Sequence, residues 1–459
     1  MKYTVNGSPK VVLSVNEDFM KPADDMARVY KRSEFDPHKG NVIVVDPNKT
    51  FQTVDGFGAS FTDTAAVVMS AMPKDELDRA MTSLFDKEEG IGINMIRNCI
   101  AGSDFAPEYY TYDDMPEGEE DWELEHFDFS HDLKQIVPLT KRAFEMAGDC
   151  SLILSPWSPP LWMKDQWIWQ AKTNPELREE CYEVYAKYLV KSIQAYEEAG
   201  LPVNILTVQN EPYALVPWPG MHWDREVLID FTNKYMRPAL NEAGLKTKIL
   251  NLDHNFNFHY EANSIMENTM ESSDGIAYHW YHGQPEQMLS SYDLFPDKLI
   301  YVTEASSSTN PCTIQRMANI ASKIARSFRS GAGAYVLWNM ALDHNGGPTY
   351  NNVNVHCSGL LVCNTETGKV SFNMDYYSLG HFSKYVKKGA KRIHSTDTAD
   401  AEFRLVNAAF LNPDGSVTTV IVNRNAEEEA FCKVLCGDSV IELTLPAASV
   451  ATLQWKAEI

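Results

Sequence analysis

Metal, membrane and redox signatures are scarce in this chain, and each shortage removes a class of function. Its eight cysteines, at positions 99, 150, 181, 312, 357, 363, 432 and 436, include no Cys-x-x-Cys pair, which removes the zinc-ribbon and dithiol-redox patterns. On one extended strand the Cα atoms of Cys432 and Cys436 would stand about 13 Å apart, beyond disulfide reach, so free thiols of a reducing compartment are expected. His279 and His282 lie three apart, His254 and His259 five, and His344 and His356 stand singly. None of these is a zinc motif, so pocket hydrogen bonding is expected of them, with no metal and no cofactor. Ser155 and Ser158 lack the flanking glycines of a nucleophile elbow, which disfavours a serine hydrolase. No apolar run approaches the roughly 18 residues that span a bilayer. Met1 to Lys10 lacks the apolar core of a signal peptide, so a cytoplasmic location is expected, or a secreted one if a leader had been removed.

Positive charge is also short. Against 63 acidic residues stand 40 Lys and Arg, a net charge of −23, which repels nucleic acid and anionic lipid alike. A neutral substrate and no stable membrane association are expected. Glu117, Glu119, Glu120, Asp121, Glu123 and Glu125 form a local acidic cluster that reads as a solvated loop. With 44% hydrophobic residues, the 459-residue chain has material for one large core of barrel size and a small second one.

Between residues 50 and 340 short apolar runs alternate with longer amphipathic ones. Eight short runs, 51–57, 94–97, 151–155, 204–209, 248–252, 275–280, 298–303 and 334–339, read as strands separated by helical stretches such as 73–85 and 175–199. Eight strands each followed by a helix is the arithmetic of a (β/α)8 TIM barrel. An open doubly wound sheet would favour a glycine-rich loop after the first strand, and Gly56-Phe57-Gly58-Ala59 is too short for one. After about residue 365 the texture changes to short β-rich segments, with Asn412-Pro413-Asp414-Gly415 marking a hairpin between 403–410 and 417–422. The runs 10–15 and 42–45 complete this module. The expected organisation is N-terminal strands over 1–45, a barrel over 46–365, and a β-sandwich over 366–459 that the first segment joins.

Function in such a barrel collects at the C-terminal ends of the strands. Glu211 ends strand four and Glu304 ends strand seven, across the mouth from each other. One carboxyl group to protonate a leaving oxygen and a second to attack the anomeric carbon, or to activate water there, is the requirement of glycoside hydrolysis; their separation decides between retention and inversion. Asn210 can donate to a sugar 2-hydroxyl, and Arg97, ending strand two, either holds a carboxylate ionised or makes a structural ion pair. Trp157, Trp162, Trp167, Trp169, Trp218, Trp223, Trp280 and Trp338 fall on or soon after strand ends, as a rim able to stack on sugar faces.

The strings Gly56-Phe57-Gly58-Ala59-Ser60-Phe61-Thr62-Asp63, Asn94-Met95-Ile96-Arg97, Gly102-Ser103-Asp104-Phe105, Ser155-Pro156-Trp157-Ser158-Pro159-Pro160-Leu161-Trp162-Met163-Lys164, Gln209-Asn210-Glu211-Pro212, Tyr278-His279-Trp280-Tyr281, Thr303-Glu304-Ala305 and Leu379-Gly380-His381-Phe382-Ser383-Lys384 run in order along the chain. Together they resemble glycoside hydrolase family 30, the branch that includes lysosomal glucosylceramidase. The resemblance implies a barrel with a side β-sandwich built from both termini and a retaining mechanism, with Glu211 as acid/base and Glu304 as nucleophile. It further implies that Asp104 and Trp157 hold the distal hydroxyls of the sugar, Asn210 its 2-hydroxyl, and that Trp338 closes the pocket. Arg97, His279 and Tyr281 line or support the nucleophile. A β-glucosidase is the leading expectation. The alternatives are an endo-β-1,6-glucanase, a β-xylosidase or a β-1,6-galactanase, and, from another class, a non-catalytic carbohydrate-binding protein. Residues 213–223 and 345–357, on the aglycone side, depart from the lipid-handling branch, and the negative charge suits an acidic membrane poorly.

Overall fold

The computed structural model describes residues 4–36, 40–308, 313–353, 356–397 and 404–458. Cys312 and Phe403, named above, lie outside them. Two ten-stranded sheets make up the molecule. In the first, eight parallel strands close into a barrel: β1 (Gly56–Phe61), β2 (Met95–Ile100), β3 (Ser151–Pro156), β4 (Ile205–Thr207), β5 (Lys248–Asn255), β6 (Gly275–His279), β7 (Leu299–Glu304) and β8 (Ala334–Asp343). Closure is made by β7 on β8 and by β8 on β1. The far half of β8 also pairs with Gly359–Asn364, which turns back as an antiparallel hairpin through Lys369–Phe372.

Seven of the eight sequence-derived strands coincide with observed ones, and the first is displaced. Phe51 belongs to a sandwich strand, Asn41–Thr53, and the barrel begins at Gly56. Both sheets are β-rich here, so the apolar pattern runs through the crossover at Val54 and Asp55 without a break. The change of sheet therefore falls after Thr53 rather than at residue 45. At the other end it falls between the helix Met374–Ser383, packed on the barrel, and the strand Lys391–Ser395, rather than at 365. Gly58 is required where β1 meets β2, because a Cβ there would stand 1.6 Å from the Met95 carbonyl oxygen.

The barrel interior is layered by the period of two of its strands. Met95, Ile153, Ile205, Leu250, Ala277, Tyr301, Ala334 and Val336 fill the floor. Two residues farther along, the same strands present Arg97, Ser155, Thr207, His279 and Thr303, so a polar layer lies directly on the apolar one. On three strands a bulge modifies this register: it falls at Leu252–Asp253 of β5, near Thr303 of β7 and at Trp338 of β8. A bulge adds one residue and re-aims the side chains beyond it.

The second sheet combines Thr4–Val15, Asp18–Pro22, Arg28–Lys31 and Asn41–Thr53 with Lys391–Ser395, Leu405–Leu411, Ser416–Asn423, Ala430–Cys436, Ser439–Leu445 and Ser449–Glu458. The hairpin at 412–415 forms as expected, with Asn412 N donating to Ser416 O at 2.8 Å and Gly415 at φ 79°. Cys432 and Cys436 are free and buried in this module. His381 joins the two bodies: its buried ring meets Ser14 Oγ at 2.7 Å and Thr452 Oγ1 at 2.9 Å, and burial pushes its pKa down to about 3. Among the described residues no helix is long and apolar enough to cross a membrane. Of the acidic cluster, Asp121 is buried and accepts from the His126 backbone N–H at 2.6 Å, while its neighbours in the cluster are exposed.

Candidate active site

Four strand ends converge on one guanidinium. Arg97, wholly buried on β2, donates through Nη1 to Glu304 Oε2 at 2.6 Å and through Nε to Ser155 Oγ at 2.9 Å. Its Nη2 donates to Asn210 Oδ1 and to Asp253 Oδ2, both at 2.9 Å. Burial works against the arginine's charge, but Asp253 and Glu304 outweigh it and raise its pKa. The plane of the guanidinium also lies 4.9 Å from the Trp157 ring and 5.4 Å from the Trp338 ring, which stack on each other at 5.0 Å. A rigid five-donor fork suits this post because an ammonium, with three donors on a flexible stem, could not hold four oxygen partners in fixed directions.

Glu304, at the end of β7, has one oxygen on Arg97 and the other on the Tyr281 hydroxyl, which donates to Oε1 at 2.8 Å. Both oxygens are thus held by donors, and the carboxyl is oriented from two sides. Glu211 is held differently. Its backbone adopts φ 45°, its N–H donates to the Asp253 carbonyl at 3.0 Å, and its Oε1 lies 3.0 Å from His279 Nδ1 and 3.4 Å from His254 Nδ1. A positive φ at a glutamate is costly and persists only where surrounding contacts enforce it. Burial pushes the Glu211 carboxyl up, but hydrogen bonds from His254 and His279 outweigh it and hold the group below the usual carboxylate range.

Asp253 links the two carboxyl groups and was missed by the sequence reading. Wholly buried, it accepts from Thr207 Oγ1 and Thr303 Oγ1 at 2.6 Å each, from Arg97, and faces His279 Nε2 at 3.1 Å. Arg97 and these donors hold its carboxyl well below the usual range despite burial. Burial would lower the His279 pKa; Glu304 and Asp253 reverse this and raise it to about 10, so the ring is an imidazolium at neutral pH. Strict alternation along β5 would turn Asp253 outward. The bulge at Leu252 and Asp253, with φ of 73° and 48°, turns it in.

The pocket above these groups has a volume of about 500 Å³ and is lined by Asp104, Trp157, Asn210, Glu211, Tyr281, Glu304 and Trp338 among others. The expected residues are therefore brought together, with His279 and Arg97 directly behind the wall. Asn210, whose Oδ1 is engaged by Arg97, is one of the lining residues. Trp338 Nε1 faces Asp104 Oδ2 at 3.4 Å. The rim of eight tryptophans is not observed: Trp157, Trp218 and Trp338 line the pocket. Trp162, Trp223 and Trp280 are buried in the shell behind it, with Trp162 Nε1 donating to Asp113 and Trp280 Nε1 to the Ser306 carbonyl. Trp169 packs at 6.1 Å from Tyr109, and Trp167 is 37% exposed. Loops after strand ends fold outward as well as inward, and sequence position does not separate the two. Tyr213, Leu215, Val216 and Phe258 instead form an apolar side of the mouth.

Glu211, His254 and His279 place three ligand-type atoms within 4.8 Å of one another. They also form a hydrogen-bonded set, with His279 Nδ1 at 3.0 Å from Glu211 Oε1 and Nε2 of the same ring at 3.1 Å from Asp253. The mouth is also tied from below. Lys164 Nζ, almost fully buried, donates to Ser158 Oγ at 3.2 Å, to the carbonyls of Ile168 and Trp169 at 2.6 and 3.4 Å, and to the Gly220 carbonyl at 2.9 Å. It joins the segment after β3 to the one after β4, and burial pushes its pKa down to about 7.

Comparison with known proteins identifies both bodies of the fold. Residues 54–386 match the glycosyl hydrolase family 30 TIM-barrel domain, and residues 389–453 match the glycosyl hydrolase family 30 beta sandwich domain. The chain is 28% identical over 443 residues to the lysosomal acid glucosylceramidase of Mus musculus, covering 91% of this chain and 84% of that protein. It is 29% identical over 423 residues to the endo-1,6-beta-D-glucanase of Neurospora crassa, covering 88% and 87%. Among solved structures, SrfJ from Salmonella typhimurium superposes with a TM-score of 0.90 at 28% identity, covering 98% of this chain and 100% of that one.

Proposed function

Because the chain belongs to glycosyl hydrolase family 30 and is a glycoside hydrolase, we propose that it cleaves β-glucosides with retention, through a covalent glycosyl-enzyme on Glu304. The observation that carries this reading is the unequal holding of the two carboxyl groups. Glu304, fixed by Arg97 and Tyr281, is suited to attack, since its direction is set before substrate arrives. Glu211, in contact with the cationic His279, is suited to exchange protons.

In the first step Glu304 forms a bond to the anomeric carbon while the glycosidic bond breaks, and the leaving oxygen takes its proton from the Glu211–His279 pair. Esterification removes the negative charge of Glu304, one of the two carboxylates that raise the His279 pKa. The pair then holds its proton less tightly, so Glu211 is ready to accept one. In the second step water attacks the anomeric carbon, its proton passes to Glu211, and Glu304 leaves as a carboxylate. Asp104, Trp157 and Trp338 would hold the distal side of the sugar and Asn210 its 2-hydroxyl. Asp253 would act through Arg97 and His279, as a positioning residue.

A 2-fluoro glucoside with an activated leaving group tests this directly. The expected outcome is a mass increment on the peptide carrying Glu304; a label elsewhere, or full turnover by Glu304→Gln, overturns it. A second reading, chain cleavage of β-1,6-glucan, is supported by the extension of the mouth past one sugar along Tyr213, Leu215 and Trp218 and by the likeness to the Neurospora glucanase. On pustulan, early release of mixed oligomers favours it, and release of glucose alone rejects it.

A further inference from the structure

A cleft of about 830 Å³ lies away from the pocket just described and shares no lining residue with it. One wall carries Lys87, Gly92, Asn94 and Asp149, at the N-terminal ends of the barrel strands, the end opposite the carboxyl pair. The other is the face of the β-sandwich that carries Lys10, Gln454 and Lys456. Residues 383–388, leading from barrel to sandwich, close one side. In a chain with an excess of 23 negative charges, this cleft runs the other way: six lysines, 10, 87, 384, 387, 388 and 456, face three acids, Glu88, Asp149 and Asp414.

Most of that acidity is already spent. Asp414 pairs with Lys387 at 2.8 Å and Asp149 with Lys388 at 2.5 Å, while Lys384 donates to the carbonyls of Glu88 and Gly90. Among the described residues Lys10, Lys87 and Lys456 have no carboxylate partner. These three ammonium groups come from separate parts of the chain, two from adjacent sandwich strands and one from the barrel. Ser8 and Gln454 line the same cleft and can hydrogen-bond hydroxyls and oxyanions alike, while Ser383 and Ser416, also in its lining, donate their hydroxyls to the Ile91 carbonyl and to Asp414. Lysine clusters held close by a fold repel one another unless an anion lies between them.

We propose that this cleft binds a compact, multiply charged oxyanion carried on a small carbohydrate, a phosphorylated or sulfated sugar, at a site separate from the one that cleaves glycosides. Compactness follows from the charge map. Beyond about one Debye length, roughly 10 Å at 0.1 M salt, a long polyanion would leave the cleft for an acidic surface that repels it. The hydroxyl and amide lining favours a polyol over a bare ion.

The test uses the full chain and two probes, myo-inositol hexakisphosphate and sucrose octasulfate, with sucrose as the neutral control, in titrations at about 50 and about 200 mM salt. The expected result is binding of at least one probe at micromolar concentration in low salt, weakened about tenfold in high salt, and no binding of sucrose. The variant K10E/K87E/K456E should lose at least about tenfold in affinity, while K10Q/K456Q, the milder change, loses a smaller factor. Both should keep the wild-type melting transition and aryl-glucoside turnover, since none of the three lysines lines the carboxylate pocket. Binding of only one probe assigns the ligand to phosphate or to sulfate. Failure of both probes below about 1 mM, or unaltered affinity in both variants, overturns the proposal.

Discussion

Each of the two sheets has ten strands, yet they enclose opposite chemistry. The sandwich interior is apolar, built from Val11, Ile43, Ile393, Ile421, Val434, Leu453 and their neighbours. The barrel rests on an equally apolar floor but places a buried cation, Arg97, and the carboxyl groups of Asp253 and Glu304 directly above it. At the barrel mouth Glu211, Leu252 and Asp253 take positive φ, as Asn16, Met20 and Ala448 do in the turns and strands of the sandwich. Desolvating these charges costs free energy that only their mutual arrangement repays, whereas the sandwich gains stability from burial alone. One sheet is therefore organised for stability and the other for placing charge.

The largest effect that sharpens this contrast is expected at Arg97. Arg97→Gln removes the cation that Asp253 and Glu304 share; breaking a buried pair in this way costs about 3–5 kcal/mol, and turnover should fall by about a thousandfold or more in the fraction that remains folded. Urea denaturation beside aryl-glucoside kinetics would measure both. In the sandwich, Leu453→Ala should cost about 2–5 kcal/mol in the same denaturation experiment yet leave kcat/KM of the folded protein unchanged. If activity fell with stability there, the two sheets would not be independent in the way described.

Asp253→Asn is a finer probe. It preserves shape but removes one of the anions that raise His279 to about 10, so the basic limb of the pH–rate profile should move to lower pH, with kcat/KM down about a hundredfold. An unmoved basic limb would detach His279 from proton transfer. An effect that appears only on acidification is expected at the joint between the sheets. His381, lowered to about 3 in the folded protein, binds its proton more readily when unfolded. Its contribution to stability is present above about pH 6.5 and is lost at up to about 1.4 kcal/mol per pH unit as pH falls toward 3. Melting temperatures of the wild type and His381→Asn between pH 7 and 4 would reveal that slope as a difference between them.

Much of this was legible in the sequence because both repeats that matter, two for strands and eight for the barrel, are regular. Asn210, Glu211, His279, Tyr281 and Glu304 stand at or just beyond strand ends and Arg97 lies inside β2 on the same inward-facing layer, so their meeting could be anticipated. Asp253 could not be read the same way, since the β5 bulge breaks the alternation on which the reading depends. Its signal was the polar run Asn251-Leu252-Asp253-His254-Asn255 at a strand end. The tryptophans erred in the other direction: being near a strand end does not say which way a loop folds, and Trp162, Trp223 and Trp280 turn into the shell. The first strand was displaced because two β-rich modules join there without a change of texture.

The Lys164 tie has a mechanical consequence. By fastening residues 158, 168 and 169 to residue 220, it makes the segments that follow β3 and β4 a single jaw, bearing Trp157, Glu211 and Trp218 as one piece. Tyr281 and Cys357, on the opposite side of the pocket, lie outside this tie. Residues there, rather than on the fastened side, are the place to begin in reshaping what the pocket admits.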